Sequence, residues 1–204
     1  MDYISIYLHW PFCESKCPYC DFNSHVRKKI VQEDWLQGYL KNIRVWFSVF
    51  NNPKVKTIYF GGGTPSLMEP NIVSDLLEDL YKNYSISKDI EISLEANPSS
   101  VEIKKFRDYA SAGINRISIG VQSFVDKDLK LLGRRHNANE ALSAIDTGSS
   151  IFENLSIDLI YGRQFQNLLD WEKELQFAIS LRSQHLSLYQ LTVENNTAFG
   201  RLFD

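Results

Sequence analysis

Three cysteines near the amino terminus, Cys13, Cys17 and Cys20, follow a C-x3-C-x2-C spacing and are the only cysteines in the chain. Thiolates suit soft metal centres, and cysteines this close together on one loop can point three sulfurs at one cluster. Three ligands on a four-iron cluster leave one iron open for a further ligand, so the spacing predicts a 4Fe-4S cluster. The alternative is a structural zinc site with His9 or His25 as fourth ligand, although the chain lacks the second CxxC pair or H-x3-H that would favour zinc.

A run of three glycines, Gly61 to Gly63, precedes Thr64 and Pro65. Glycines remove every Cβ, so backbone groups can approach the charged end of a ligand closely. The run lacks the Lys-Ser/Thr ending of a P-loop and the third glycine of a dinucleotide fingerprint. Taken alone it predicts no more than a tight turn.

The composition is that of an ordinary globular chain, with 204 residues, 44% apolar and 13% aromatic, which suits one large domain. The net charge is −3 and Lys and Arg are dispersed, so neither nucleic acid nor an anionic membrane is indicated as a partner. The start of the sequence lacks the basic region of a signal peptide and no stretch approaches a membrane span, which predicts a cytoplasmic protein. Cysteines confined to one short loop do not form a disulfide framework.

Short alternating runs and amphipathic stretches succeed each other along the chain. The runs predict strands at Ile4–Trp10, Lys56–Gly61, Ile90–Asn97, Arg116–Gln122, Asn154–Tyr161 and His185–Leu191. The stretches predict helices at Glu33–Phe50, Pro70–Tyr84, Ser100–Gly113, Val125–Thr147 and Leu168–Leu181, with Gly113 as a C-cap glycine. This βα repeat implies parallel strands joined by right-handed crossovers.

Each predicted strand has one apolar face and one polar or small face. In the third strand, Ile92 and Leu94 alternate with Glu91, Ser93 and Glu95. Strands covered by helices on both faces read as nearly continuous apolar runs, and a closed eight-stranded barrel fills its interior with branched apolar residues. Neither pattern fits. The sequence therefore predicts an α/β fold in which an incomplete barrel carries helices outside and a polar ligand inside.

Near the carboxyl ends of the predicted strands, Glu95, Gln122 and Asp158 share the lumen face by parity. A buried carboxylate is costly unless it is paired or hydrogen-bonded. Glu95 and Asp158 are therefore expected to meet a ligand amine, a hydroxyl or an arginine. A structural ion pair between Glu95 and Arg134, which follows the fourth strand, is an equally good interpretation at this point.

Together these motifs resemble one family, the radical S-adenosylmethionine (SAM) family of oxygen-independent coproporphyrinogen III oxidases and their relatives. The matching segments, in family order, are Tyr7 to Cys20, Gly61 to Pro65, Glu95 to Pro98, Arg116 to Phe124, Leu132 to Arg134, Asp158 to Gly162 and Leu188 to Leu191. Such a string of motifs is very specific. The resemblance implies a partial (β/α)6 radical SAM barrel over residues 1–204 that stops after the sixth strand, without its last helix and C-terminal domain.

The resemblance also implies the cofactors. Cys13, Cys17 and Cys20 would hold the cluster, and the amino and carboxyl groups of SAM would chelate its open iron. The positions that match the family's cofactor-binding residues are Tyr7, Tyr19, Gly62, Gly63, Thr64, Glu95, Gln122, Arg134 and Asp158. In the family, one electron from the reduced cluster cleaves SAM, and this chemistry belongs to the cofactor.

The residues after the third cysteine separate two subgroups. The oxidases carry a further cysteine one residue later, whereas here Cys20 is followed by Asp21 and Phe22. That ending resembles the HemW heme chaperones, which implies heme as bound cargo, with a heme-acceptor protein and an electron donor as partners. Radical decarboxylation of coproporphyrinogen III is the alternative function, and an inactive truncated fragment is a third.

Two segments depart from the family pattern. Residues 162–165 read Gly-Arg-Gln-Phe, whereas the family pattern at this place is Gly-Leu-Pro. Residues 147–150 read Thr-Gly-Ser-Ser and are expected to break a stretch that is helical in the family. Arg135 and His136 are expected at a solvated helix start. The resemblance covers about half of a family member, so a truncated gene product or a deliberately shortened chain is expected.

Overall fold

The computed structural model describes residues 3–51, 53–181 and 183–203. Its centre is a parallel sheet whose six strands lie side by side in chain order: β1 Tyr3–Trp10, β2 Lys54–Gly62, β3 Ile86–Ala96, β4 Arg116–Gln122, β5 Asn154–Tyr161 and β6 His185–Gln190. Every neighbouring pair is parallel. Helical crossovers between consecutive parallel strands give a half-barrel, which confirms the predicted α/β partial barrel.

Helices follow the strands along the chain, and the longer ones pack on the outer face of the sheet. They are α1 Gln32–Val49, α2 Pro70–Asn83, α3 Ser100–Ile103, α4 Phe106–Ala112, α5 Asp126–Leu131, α6 Ala138–Ile151, α7 Leu168–Ser180 and α8 Ala198–Phe203. A 3-10 turn spans Pro65–Leu67, and Phe12–Cys13 pairs with His25–Val26 in a short parallel ladder. Within the described ranges no helix has the length and apolar character needed to cross a bilayer.

The two faces of the sheet differ as the alternation predicts. On the outer face, Phe60 and Leu94 are fully buried and belong to one apolar core with Leu76 of α2. Burying one such side chain contributes about 1.5 to 3 kcal/mol. The inner face carries small polar residues that are also buried, such as Ser118 and Ser156. The sheet therefore presents polar groups to the lumen while its outer face holds the fold together.

The structure corrects two predicted helices. The single helix expected at 125–147 is α5 and α6, separated by a loop, and the helix expected at Ser100–Gly113 is α3 and α4. Gly113 does end α4 in the left-handed conformation, with φ of 114°. The expected break at 147–150 is wrong, because α6 continues to Ile151.

Gly148 explains why that helix is not broken. A Cβ atom added to Gly148 would lie 2.7 Å from Cδ1 of Leu155 on β5. The glycine therefore lets α6 approach the sheet closely, and the stabilisation from this packing outweighs the low helix propensity of glycine, which costs about 1 kcal/mol relative to alanine.

Candidate cofactor site

The three cysteines lie on the loop between β1 and α1, which begins with the short strand Phe12–Cys13. Lys16 Nζ closes this loop by donating to the carbonyls of Phe22 (3.0 Å) and Ser24 (3.2 Å). All three thiols are free and half-buried. Burial raises the pKa of the Cys20 thiol. A metal centre binds thiolates, so its binding at this loop would release protons.

The two histidines considered as zinc ligands have other surroundings. In residues 3–51, 53–181 and 183–203, no three His, Cys, Asp or Glu side chains are placed to hold a metal ion. The His9 ring donates from Nε2 to the Asn23 carbonyl (3.0 Å) and lies with Nδ1 3.4 Å from the Tyr7 hydroxyl. His25, the other histidine considered as a zinc ligand, is exposed. The cysteine sulfurs that hold a four-iron cluster bind different irons, so they lie farther apart than the sulfurs that bind a single metal ion.

The glycine run packs directly against the cysteine loop. Gly62 has φ of 118°, in the left-handed region. A Cβ atom on Gly63 would lie 2.6 Å from the carbonyl oxygen of Phe12 and 3.0 Å from the sulfur of Cys13. The backbone N–H of Gly63 donates to the carbonyl of Trp10 (2.7 Å). The glycines therefore let the end of β2 contact the cysteine loop. The glycine run thus does more than form a tight turn.

Two carboxylates of the inner face are fixed by hydrogen bonds. Glu95 accepts from the Tyr59 hydroxyl (2.7 Å) and from the backbone N–H of Gly62 (3.2 Å). Asp158 accepts from the Ser118 hydroxyl (2.9 Å). Burial raises the pKa of both carboxyl groups. A bound cationic group would favour their ionised forms.

Arg134 joins the cysteine loop to the ends of the strands. Its Nη2 donates to Oδ1 of Asn97 (2.6 Å) and to the carbonyl of Gly120 (2.8 Å), and its Nη1 lies 3.5 Å from the sulfur of Cys17. Glu95 has the other partners described above. The ion pair considered between Glu95 and Arg134 is therefore not what the structure shows.

His136 is buried, so its expected place at a solvated helix start is wrong. The residue is 7% exposed, and its ring donates from Nε2 to the carbonyl of Val121 (3.0 Å). Burial, with the charge of Arg134, lowers the pKa of His136 to about 4, which leaves the ring neutral at pH 7. The loop before α6 folds back over β4 and buries this side chain. Arg135 is exposed as expected and pairs with Glu14 (2.8 Å).

These groups surround a cavity of about 330 Å³ at the carboxyl ends of the strands. The predicted site residues that line it are Cys13, Cys17, Tyr19, Cys20, Gly62, Gly63, Thr64, Glu95, Gln122, Arg134 and Asp158. Tyr7 does not line it. Its side chain is 57% exposed and stacks on Tyr59 at 6.0 Å between ring centres. Tyr7 therefore contacts Tyr59, whose hydroxyl donates to Glu95.

Three residues that line the cavity carry buried polar atoms without a partner in the described part of the chain: Ser24 at Oγ, Gln122 at Oε1 and Arg134 at Nε. Buried polar atoms are nearly always hydrogen-bonded, so a water molecule or a ligand atom is expected beside each of them. Gln122 also has φ of 69°, which is uncommon for a residue with a side chain. Three free thiols, a glycine cradle and unpaired polar atoms fit a metal cluster with a polar ligand beside it.

Sequence reasoning missed residues that hold the site's loops in place. Glu102 is 3% exposed and accepts from the backbone N–H of Asn97 (2.8 Å) and from the Ser66 hydroxyl. Asn97 in turn donates to the Thr64 hydroxyl (3.2 Å). The pattern Ser99-x-x-Glu102 indicates a helix start, and Ser99 does cap α3. Nothing in that pattern shows that Glu102 also reaches the neighbouring loops.

The segment after β6 returns to the cysteine loop, a contact that no local sequence pattern predicts. The backbone N–H of Phe199 in α8 donates to the carbonyl of Pro18 (2.9 Å). The buried Phe199 ring lies 6.4 Å from the ring of Tyr19. Burial raises the pKa of Tyr19. Helix α8 thus packs on the part of the loop that carries the last two cysteines.

Comparison with known proteins agrees with this geometry. The sequence model of the radical SAM superfamily matches residues 7–178. The chain belongs to the radical SAM superfamily. Two of its relatives are the heme chaperones HemW of Escherichia coli K12, 44% identical over 97% of this chain and 53% of that protein, and of Buchnera aphidicola from Acyrthosiphon pisum, 43% identical over 96% and 52%. The chain spans about half the length of these curated relatives.

Solved radical SAM structures share the fold. The coproporphyrinogen III oxidase HemN of Escherichia coli superposes with a TM-score of 0.83 at 27% identity, over 98% of this chain and 46% of that one. The radical SAM methyltransferase TsrM of Kitasatospora setae superposes with a TM-score of 0.68 at 10% identity, over 96% of this chain and 38% of that one. The second likeness concerns the fold alone. Both agree with a partial radical SAM barrel.

Alanine at Gly63 is expected to reduce iron loading of the reconstituted radical SAM chain severalfold. Its Cβ would overlap the carbonyl oxygen of Phe12, so the cysteine loop must move away from β2. Iron content per chain after anaerobic reconstitution measures the effect. Gly38→Ala is the matched control, because nothing lies within 4 Å of its added Cβ. Equal iron loading of Gly63→Ala and wild type would show that this contact does not shape the site.

Proposed function

We propose that this chain is the cluster-bearing part of a HemW-like heme chaperone, which binds a 4Fe-4S cluster and SAM and transfers heme to an acceptor protein. The observation that carries the proposal is the cavity onto which the three free thiols open beside the unpaired atoms of Gln122 and Arg134. The HemW relatives support a chaperone among the many radical SAM functions. The activity of the whole protein is part of the proposal, because the chain spans about half of those relatives.

In this proposal the chain's residues bind and orient the cofactors. The thiolates of Cys13, Cys17 and Cys20 would each bind one iron of the cluster, which would leave one iron without a cysteine ligand. The bound cluster and SAM supply one-electron chemistry that the protein's own side chains lack. An electron donor is therefore an expected partner.

The polar groups of the inner face hold SAM. Glu95 is held by Tyr59 and Gly62, and its carboxylate accepts from the ammonium group of the ligand. Asp158, fixed by Ser118, accepts from a ligand hydroxyl. The unpaired Oε1 of Gln122 accepts a further ligand N–H or O–H. Because Glu95 and Asp158 already have fixed partners, they lose little conformational freedom when the ligand binds.

Decarboxylation of coproporphyrinogen III is the second candidate, favoured by the structural similarity to HemN of Escherichia coli. The residue two positions after Cys20 argues against it. Phe22 stands where the resemblance gives the oxidases a further cysteine; the residue is 58% exposed and lines the cavity. An aromatic ring in place of a thiol favours the chaperone.

A heme titration beside an oxidase assay tests the proposal. The reconstituted chain, alone and joined to the C-terminal half of Escherichia coli HemW, is incubated with SAM, reductant and coproporphyrinogen III, and products are separated by chromatography. The joined protein is expected to bind heme with a Soret band and to leave the porphyrinogen unchanged. Decarboxylated product would favour the oxidase. Absence of both heme binding and product would contradict both functions.

A further inference from the structure

A cluster of buried charged side chains lies next to the carboxyl end of β4. Arg163 and Glu174 have side chains only 3% and 5% exposed, and their charged groups form an ion pair. The Arg163 guanidinium also donates to Oδ2 of Asp128, from Nη2 at 2.9 Å and from Nε at 3.2 Å. Buried charges persist only when paired and hydrogen-bonded, so this cluster is tightly constrained. None of the three residues lines the cavity, and the proposed function uses none of them.

The cluster contacts the last residue of β4 and the two residues that follow it. Oε1 of Glu174 accepts from the Ser123 hydroxyl (2.6 Å) and from the backbone N–H of Phe124 (2.8 Å). Nη1 of Arg163 lies 3.5 Å from the carbonyl oxygen of Gln122 and donates to the carbonyl of Ile160. The end of β4 is therefore tied to the end of β5 and to α7.

Gln122 is the residue that needs such support. Its φ of 69° places it in the left-handed region, and the pairing of β4 with β5 shifts register between Ile119 and Gln122. A strained backbone conformation of this kind persists only when its surroundings hold it. This conformation places the Gln122 side chain on the cavity wall with its Oε1 atom buried and unpaired in the described part of the chain.

We propose that Arg163 is a positioning residue for the cofactor site. Together with Glu174 it holds the left-handed turn at Gln122, and this turn aims the Gln122 amide at the ligand. The inference rests on the proposed binding of SAM in this cavity. Arg163 is one of the residues at which this chain departs from the family pattern.

A double-mutant cycle of Arg163→Met and Gln122→Ala tests the coupling. SAM affinity of the reconstituted chain is measured by equilibrium dialysis, with iron content and thermal unfolding recorded for each variant. Each single variant is expected to bind SAM about tenfold more weakly, as the loss of a buried hydrogen bond to a charged ligand would give. The double variant is expected to bind no more weakly than Gln122→Ala alone, because residues that act through one another are not additive.

Two further variants separate positioning from general stability. Arg44→Met breaks an ion pair with Asp79 at 3.6 Å on the outer helices and is expected to leave SAM affinity unchanged. Arg163→Lys keeps the positive charge but lacks the guanidinium fork, so it is expected to melt as wild type does and still to bind SAM more weakly. If Arg163→Met does not fold, the SAM affinity of Arg163→Lys tests the role of Arg163 instead. The SAM-dependent change in the electron paramagnetic resonance spectrum of the reduced cluster should weaken in step with affinity.

The outcomes distinguish the inference from the function on which it rests. Wild-type affinity in Gln122→Ala would overturn both the proposed contact of Gln122 and the role of Arg163. Weakened binding in Gln122→Ala with wild-type affinity in the Arg163 variants would overturn the role of Arg163 alone. Full additivity in the double variant would show that Arg163 acts on the site by another route, and would also overturn the inference.

Discussion

Alanine at any one of Cys13, Cys17 or Cys20 is expected to abolish the iron–sulfur cluster. The chain has no other cysteine to replace the lost thiolate. Anaerobically reconstituted wild-type protein is expected to be brown and to contain about four irons per chain, as three thiolates and an open iron suit a cubane. Iron analysis and visible absorbance of each variant measure the loss.

His25→Ala is the matched control for the cysteine variants. His25 lies close to the cysteine loop in sequence, is exposed, and was the histidine outside β1 considered as a zinc ligand. It is expected to retain the full iron content and absorbance. A cysteine variant that kept its cluster would contradict the ligand assignment, and loss of metal in His25→Ala would favour a zinc site.

Glutamine at Glu95 is expected to weaken SAM binding by more than tenfold, on the order of the 1.5 to 3 kcal/mol of a charged hydrogen bond. The amide cannot offer two anionic oxygens to the ligand's ammonium group. It can still accept from Tyr59, so the fold and the cluster should survive. Equilibrium dialysis of the reconstituted variant measures the affinity, and its iron content shows that the cluster is intact.

Glu91→Gln provides the control for that substitution. Glu91 lies on the same strand and face as Glu95, but it is exposed and pairs with Arg116 at 3.4 Å. Its SAM affinity is expected to equal that of wild type. Unaltered affinity in Glu95→Gln would restrict Glu95 to a structural role, in which its bonds to Tyr59 and Gly62 hold β2 against β3.

Alternation along the strands predicted much of the site. Side chains on a strand alternate between its faces, so Glu95, Gln122 and Asp158 could be assigned to one lumen without any tertiary information. The register of the parallel sheet then brings them to the same end of the barrel. The structure places all three on the wall of one cavity.

Contacts between distant loops could not be predicted in this way. The partners of Arg134 come from three different segments, and no local pattern identifies them. His136 is buried because its loop folds back over β4, whereas its polar neighbours in sequence indicated exposure. Gly148 illustrates the same limit, since local propensity favours a break and packing against Leu155 prevents it.

The most direct test of the central claim is the electron paramagnetic resonance spectrum of the reconstituted, reduced chain, recorded with and without SAM. The account predicts the signal of a reduced 4Fe-4S cluster whose spectrum changes when SAM is added, because the iron without a cysteine ligand accepts the new ligand. The same change should be absent in samples of Cys17→Ala, which lack the cluster. A stoichiometric zinc content without visible absorbance, or a cluster spectrum that saturating SAM leaves unchanged, would contradict the account.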